Sequence, residues 1–168
     1  VAYDPSTDIS ISNIQAESHI PPKLTLGVAY YSSGEFALSS DISLYPGLQY
    51  YDMNNISASD YIAHEQTYNL ALGGRYNISS WLQARVGVFT NRSSHPEPNS
   101  TLNMYQGSRI NQVGFSANLE IKKKSKITYT FGGYYTGGSG SSIQQLEQRL
   151  QKVAATQQIF TMLVGTSL

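Results

Sequence analysis

Seven segments of the chain alternate apolar with polar residues, and the connections between them run short, long, short, long, short, long. Alternation with period two marks a strand that has one greasy and one hydrophilic face. The apolar row of the first segment is Leu24, Leu26, Val28 and Tyr30; beyond Ser32-Ser33-Gly34, that of the second is Phe36, Leu38, Ile42 and Leu44. Tyr68, Leu70, Leu72, Tyr76 and Ile78 make the third row. After Ser79-Ser80 the fourth has Leu82, Ala84, Val86 and Val88. Val113, Phe115, Ala117, Leu119 and Ile121 form the fifth. A turn crowded with Lys122, Lys123, Lys124 and Lys126, read as a solvated hairpin end, leads to Ile127, Tyr129, Phe131 and Tyr135 in the sixth. The seventh holds Phe160, Met162, Val164, Thr166 and Leu168.

A strand that crosses a membrane and returns needs only a tight turn on one side, while the other side carries elaborate loops. The ordering therefore predicts an all-β protein, a transmembrane antiparallel β-barrel. Residues 1–21 read as a loop or the end of an upstream element, and residues 22–168 as barrel strands. The long connections 46–67, 91–109 and 137–157 all fall on the extracellular side, which puts the C-terminus on the periplasmic side of a bacterial outer membrane.

The polar rows indicate which face meets lipid. They consist mainly of Gly, Ser, Thr, Asn and Gln, with Asp41, Arg75, Arg85, Glu120 and Lys122 as their charged members. The surface of a soluble domain carries charge at roughly 25 to 35% of positions, whereas the whole chain has 13%. The apolar rows contain no charge at all, as expected where Arg or Lys at mid-bilayer costs about 2 to 4 kcal/mol. Sparse charge among small polar residues suits a lumen, so Arg75, Arg85, Asp41 and Glu120 are the candidate ligand-binding residues. A guanidinium fork suits a carboxylate headgroup, and ion pairing across the lumen is the structural alternative. Tyr30, Phe36, Tyr76 and Trp81 at the turn ends, with Tyr45, Tyr68, Tyr134, Tyr135 and Phe160 at the loop ends, read as aromatic girdles at the two headgroup levels.

Other classes are disfavoured. Eleven acidic and eleven basic side chains give zero formal net charge, which argues against a nucleic-acid partner. There is no cysteine, hence no thiolate metal site or disulfide. No run of 18 apolar residues forms a transmembrane helix. Gly137-Gly138-Ser139-Gly140-Ser141-Ser142 lacks the Gly-Lys-Ser/Thr ending of a phosphate loop. His19, His64 and His95 read as solvated surface residues, and Asp52 and Asp60 lack the tight oxygen-ligand spacing of a calcium loop. No nucleophile, base and orienting acid gather near one rim, so neither an enzyme nor a cofactor is expected. In the last long connection, Ser142 as a cap and Ile143, Leu146, Leu150 and Val153 at helical spacing predict one short loop helix.

Seven is an odd count, and single-chain bacterial barrels have even ones. Either Asp8-Ile9-Ser10-Ile11-Ser12-Asn13-Ile14 supplies an eighth strand, or upstream strands are missing. Pro21-Pro22-Lys23-Leu24-Thr25-Leu26-Gly27-Val28-Ala29-Tyr30, the Ser39-Ser40-Asp41 strand, Asn69-Leu70-Ala71-Leu72-Gly73-Gly74-Arg75-Tyr76 and Trp81-Leu82-Gln83-Ala84-Arg85-Val86-Gly87-Val88-Phe89 follow in that order. Together they resemble the C-terminal half of the FadL-like outer-membrane transporters of long-chain fatty acids and other hydrophobic compounds. The resemblance spans roughly residues 20 to 168. It implies that these are about seven strands of a fourteen-stranded barrel whose N-terminal half carries a plug. Passive uptake of a hydrophobic small molecule is the function it implies. The partners are then membrane lipid and lipopolysaccharide, the hydrophobic ligand, and an upstream barrel half. Leu168 stands where an aromatic residue commonly ends such barrels. The alternative is a small eight-stranded outer-membrane barrel with a packed lumen and a structural or adhesive role.

Overall fold

The computed structural model of the protein describes residues 15–16, 19–51, 53–54, 61–100, 106–123, 127–146 and 149–167. The expectations at residues 8–14, Asp52, Asp60, Lys124, Lys126 and Leu168 lie outside them. Among the described residues the regular structure is all strand: β1 (Gln15–Ala16), β2 (Leu24–Tyr31), β3 (Phe36–Tyr45), β4 (Leu48–Tyr51), β5 (Met53–Asn54), β6 (Tyr61–His64), β7 (Thr67–Asn77), β8 (Leu82–Asn91), β9 (Arg109–Lys122), β10 (Thr128–Leu146) and β11 (Arg149–Ser167). Seven of them form one antiparallel sheet in the order β11-β10-β9-β8-β7-β3-β2, open at both ends. Because seven antiparallel strands alternate in direction, the edge strands β2 and β11 both run toward the short turns.

The register places every apolar row on the same face. Ile42 lies between Leu26 and Leu70, Leu72 between Ser40 and Val88, Phe115 between Val88 and Tyr135, and Tyr135 faces Phe160. Directly opposite residues share a face of the sheet and lie within side-chain contact, so one correct phase per strand yields a continuous apolar surface. The alternation is least clean in β11, where Ile159 and Leu163 sit on the opposite face beside Thr136 and Gly132.

Among the described residues, nothing covers that surface. No hydrophobic residue among those described is buried, and Val28, Met162 and Val164 are more than 70% exposed. The accessible surface totals 12544 Å², where a compact monomer of this mass has about 8,200 Å². The sheet therefore has the stripes of a core without the second layer that makes one.

Short turns hold the opposite end together. Gly34, with φ of 94°, takes the left-handed conformation that closes β2 onto β3. Ser32 N–H donates to the Phe36 carbonyl at 3.0 Å, Ser79 N–H to Leu82 at 3.1 Å, and Lys123 N–H to Ile127 at 2.8 Å. Adjacent turns are also linked, by Asn77 N–H to the Glu35 carbonyl at 2.8 Å and by Lys122 N–H to Trp81 at 2.8 Å.

Three sequence expectations are corrected. Among the described residues, no helix follows Ser142. The β10–β11 ladder runs unbroken from Thr128 opposite Ser167 to Leu146 opposite Arg149, which turns connection 137–157 into the upper part of a long hairpin. In that ladder Ile143 faces Lys152 and Val153 faces Ser142, so the helical stripe is split between two faces. A lone helix of about eleven residues is marginal, whereas continuing the ladder satisfies each backbone group on its pairing side. Second, connection 46–67 is not all loop, because β4 and β6 pair from Leu48 opposite His64 to Tyr51 opposite Tyr61, and β5 pairs with β1. Third, Tyr45 and Tyr134 are not on the apolar face: they pair with Thr67, Ser116 and Thr161 on the other one. Tyr68, Tyr135 and Phe160 do lie with the apolar rows at the loop end.

Candidate functional site

Arg75, Arg85, Asp41 and Glu120 all fall on the face opposite the apolar rows, as period two requires. Arg75 on β7 lies directly across from Arg85 on β8, a like-charge pair that is unfavourable unless something else compensates it. Arg85 is compensated: its Nη2 reaches Glu120 Oε2 at 2.5 Å, and its Nε donates to Gln83 Oε1 at 3.0 Å. The buried Gln83 amide donates to Asn77 Oδ1 at 2.6 Å, and Lys122 Nζ approaches Glu120 Oε1 at 3.5 Å. The chain Asn77, Gln83, Arg85, Glu120 and Lys122 thus ties β7, β8 and β9 together near the short turns.

Arg75 is left outside this network. Its guanidinium lies 5.9 Å from the Tyr31 ring centroid, and its buried Nε has no hydrogen-bond partner. A groove floored by the small residues Ala29, Ala37, Ser39 and Gly73 adjoins it. Asp41 is not brought to the arginines. It sits opposite Ala71, four positions along β3 from the residue facing Arg75, with its carboxylate over Gly27. The four candidates therefore separate into an arginine–glutamate pair, Arg85 with Glu120, one arginine without a carboxylate among the described residues, and one remote aspartate.

Glu120→Gln is expected to uncouple both cations. Because the Arg85 side chain is half exposed, the measured coupling in an Arg85/Glu120 double-mutant cycle should be about 0.5–1 kcal/mol. A denaturant midpoint series supplies it, and no coupling would mean that the 2.5 Å contact does not persist in solution.

A second polar cluster occupies the loop-side rim. Arg109 bridges Glu65 at 3.0 Å and Glu97 at 3.7 Å. Glu97 also receives Ser141 Oγ at 2.8 Å and pairs with Lys152 on the β10–β11 hairpin. These donors hold its carboxyl below the usual carboxylate range, the Lys152 hydrogen bond first and Ser141 second. Glu65 N–H donates to the Ser94 carbonyl at 2.6 Å, and His64 Nδ1 lies 2.9 Å from Ser94 Oγ. The His64 and His95 rings then stand 5.4 Å apart. Partial burial, followed by the neighbouring His64, holds His95 below the ordinary imidazole value. The sequence reading of His64 and His95 as solvated surface residues did not foresee this rim, where both are half-buried and their rings meet. Nothing in the spacing of residues 64, 95, 109 and 152 signals their convergence, which arises when three connections fold back over one end of the sheet.

No family model, curated protein or solved structure matches this chain.

Proposed function

We propose that this chain forms part of the wall of a bacterial outer-membrane β-barrel that passes hydrophobic small molecules, as its resemblance to the FadL-like transporters implies. One observation carries the reading: seven apolar rows share a single uncovered face, with no hydrophobic residue buried among those described. A bilayer covers such a face without any second protein layer, and closure removes the unpaired edges that lipid does not tolerate. The open edges bear on how the barrel is completed. Since β2 and β11 point the same way, fully antiparallel closure takes an odd number of further strands, one or seven being the counts that give eight or fourteen.

The small residues Gly27, Ala29, Ser39, Ser43, Gly73, Gly87 and Ser116 on the opposite face favour the wider lumen. In it, Arg75 would meet the polar end of a ligand while Arg85 and Glu120 hold the wall. The Phe89 ring over Gly114, with Tyr134 at 6.4 Å, favours the second reading, an eight-stranded barrel filled by its own side chains. In that case the role is structural or adhesive.

Spin labels at Leu70 and Asn69, in protein reconstituted into phosphatidylcholine vesicles, test the facing. The Leu70 label is expected to collide with lipid-soluble oxygen and the Asn69 label with a water-soluble relaxer. The reverse assignment, or water at both positions, ends the membrane reading. Uptake of a hydrophobic dye by the same vesicles separates the transporting barrel from the filled one.

A further inference from the structure

Independently of what covers the apolar face, we propose that His64 and His95 form a two-imidazole binding site for a divalent transition-metal ion that links two of the three long connections. The ring centroids are 5.4 Å apart, with the planes at 37°. A metal bound at about 2.0–2.1 Å to one nitrogen of each ring, in a roughly tetrahedral arrangement, holds the two ring centres about 5 Å apart. The pair therefore already has the separation of a chelate.

The surroundings prepare each ring for that task. Ser94 Oγ sits 2.9 Å from His64 Nδ1. A partner on one imidazole nitrogen fixes the ring and presents the other, here Nε2, as the ligand. His95 has no ring-nitrogen hydrogen bond among the described residues. Its ring packs so closely on Gly107 that any Cβ there would come within 2.6–2.7 Å of Nδ1, Cε1 and Nε2.

The scaffold does not have to be assembled by the ion. Glu65 N–H to Ser94 O at 2.6 Å, and the Arg109 bridge from Glu65 to Glu97, already join the β4–β6 hairpin to the segment that follows β8. Both carboxylates are engaged by Arg109, and Glu97 also by Lys152, which leaves nitrogen as the ligating element and water for the remaining positions. Imidazole ligation selects copper(II), nickel and zinc over calcium and magnesium. Occupancy would lock two outer connections together over one rim of the sheet.

Calorimetric titration of the tag-free, metal-stripped full chain with nickel chloride, and separately with zinc chloride, is the test. One saturable site is expected, weakened about tenfold or more by His64→Ala and equally by His95→Ala, with no heat from magnesium chloride. Affinity unchanged in either variant overturns the assignment. Should the variants fail to fold, the electron paramagnetic resonance spectrum of the copper(II)-loaded native chain decides: hyperfine coupling to two imidazole nitrogens supports the site, and coupling to one or none overturns it.

Discussion

Leu72→Arg is expected to remove about 2–4 kcal/mol from the stability of the protein in a bilayer, while Ala71→Lys, one residue away, should change it by no more than about 1 kcal/mol. Leu72 lies mid-strand between Ser40 and Val88 on the apolar face. If that face meets lipid, as proposed, an arginine there carries its charge into hydrocarbon. Ala71 points the other way and lies directly opposite Asp41, so a lysine at that position gains a partner of opposite charge. Denaturant titration in phosphatidylcholine vesicles, followed by heat-modifiable gel mobility, gives both values. A larger loss for Ala71→Lys than for Leu72→Arg would mean that the apolar rows do not face lipid.

Gly138→Ala and Gly140→Ala give the second large effect, and its sign is diagnostic. Both glycines belong to the part of β10 that pairs with the start of β9, Gly138 with Gln112 and Gly140 with Ile110. A Cβ at Gly138 would collide with the Asn111 carbonyl oxygen, and one at Gly140 with that of Arg109. Backbone has no rotamer with which to move aside, so each substitution should cost about 1–3 kcal/mol, the range for overpacking. In a flexible loop or a helix the same change stabilises, by about 0.4–1 kcal/mol. Gly165→Ala is the control, since nothing lies within 4 Å of its added methyl group. Midpoint shifts combined with amide exchange at Ile110 and Gln112 report the result. Stabilisation at both Gly138 and Gly140 would show that this segment is not paired as a strand.

That segment also shows where local pattern stops being sufficient. Ile143, Leu146, Leu150 and Val153 satisfy a helical period in sequence, and nothing local opposes it. The outcome is set by ladder registration that begins at Thr128 and Ser167 and propagates upward. Within the girdle assignment, Tyr134 is misplaced for a simpler reason: Tyr134 and Tyr135 are consecutive, so alternation itself puts them on opposite faces. The phase read from Phe131 and Tyr135 already sets Tyr134 on the polar face, and the pairing of Tyr135 with Phe160 and of Tyr134 with Thr161 bears that phase out.

The candidate residues divide along the same line. That Asp41, Arg75, Arg85 and Glu120 share a face was legible, because strand phase is local. Their grouping was not, because Arg85 reaches Glu120 through the β8–β9 register, and Asp41 is held away from Arg75 by the β3–β7 register. The His64–His95 rim depends on contacts between segments about thirty residues apart, for which period two holds no information.

Seven strands of the sheet, the phase of each, the positions of the short turns and the existence of one continuous apolar face were legible in the residue order. All of these follow from steric alternation and from turn residues acting over a few positions. That the last connection is a hairpin, that among the described residues Arg85 is neutralised and Arg75 is not, and that the three long connections converge on one rim came from the folded chain. Those outcomes depend on strand register and chain return, in which distant residues compete for the same hydrogen bonds and the same space.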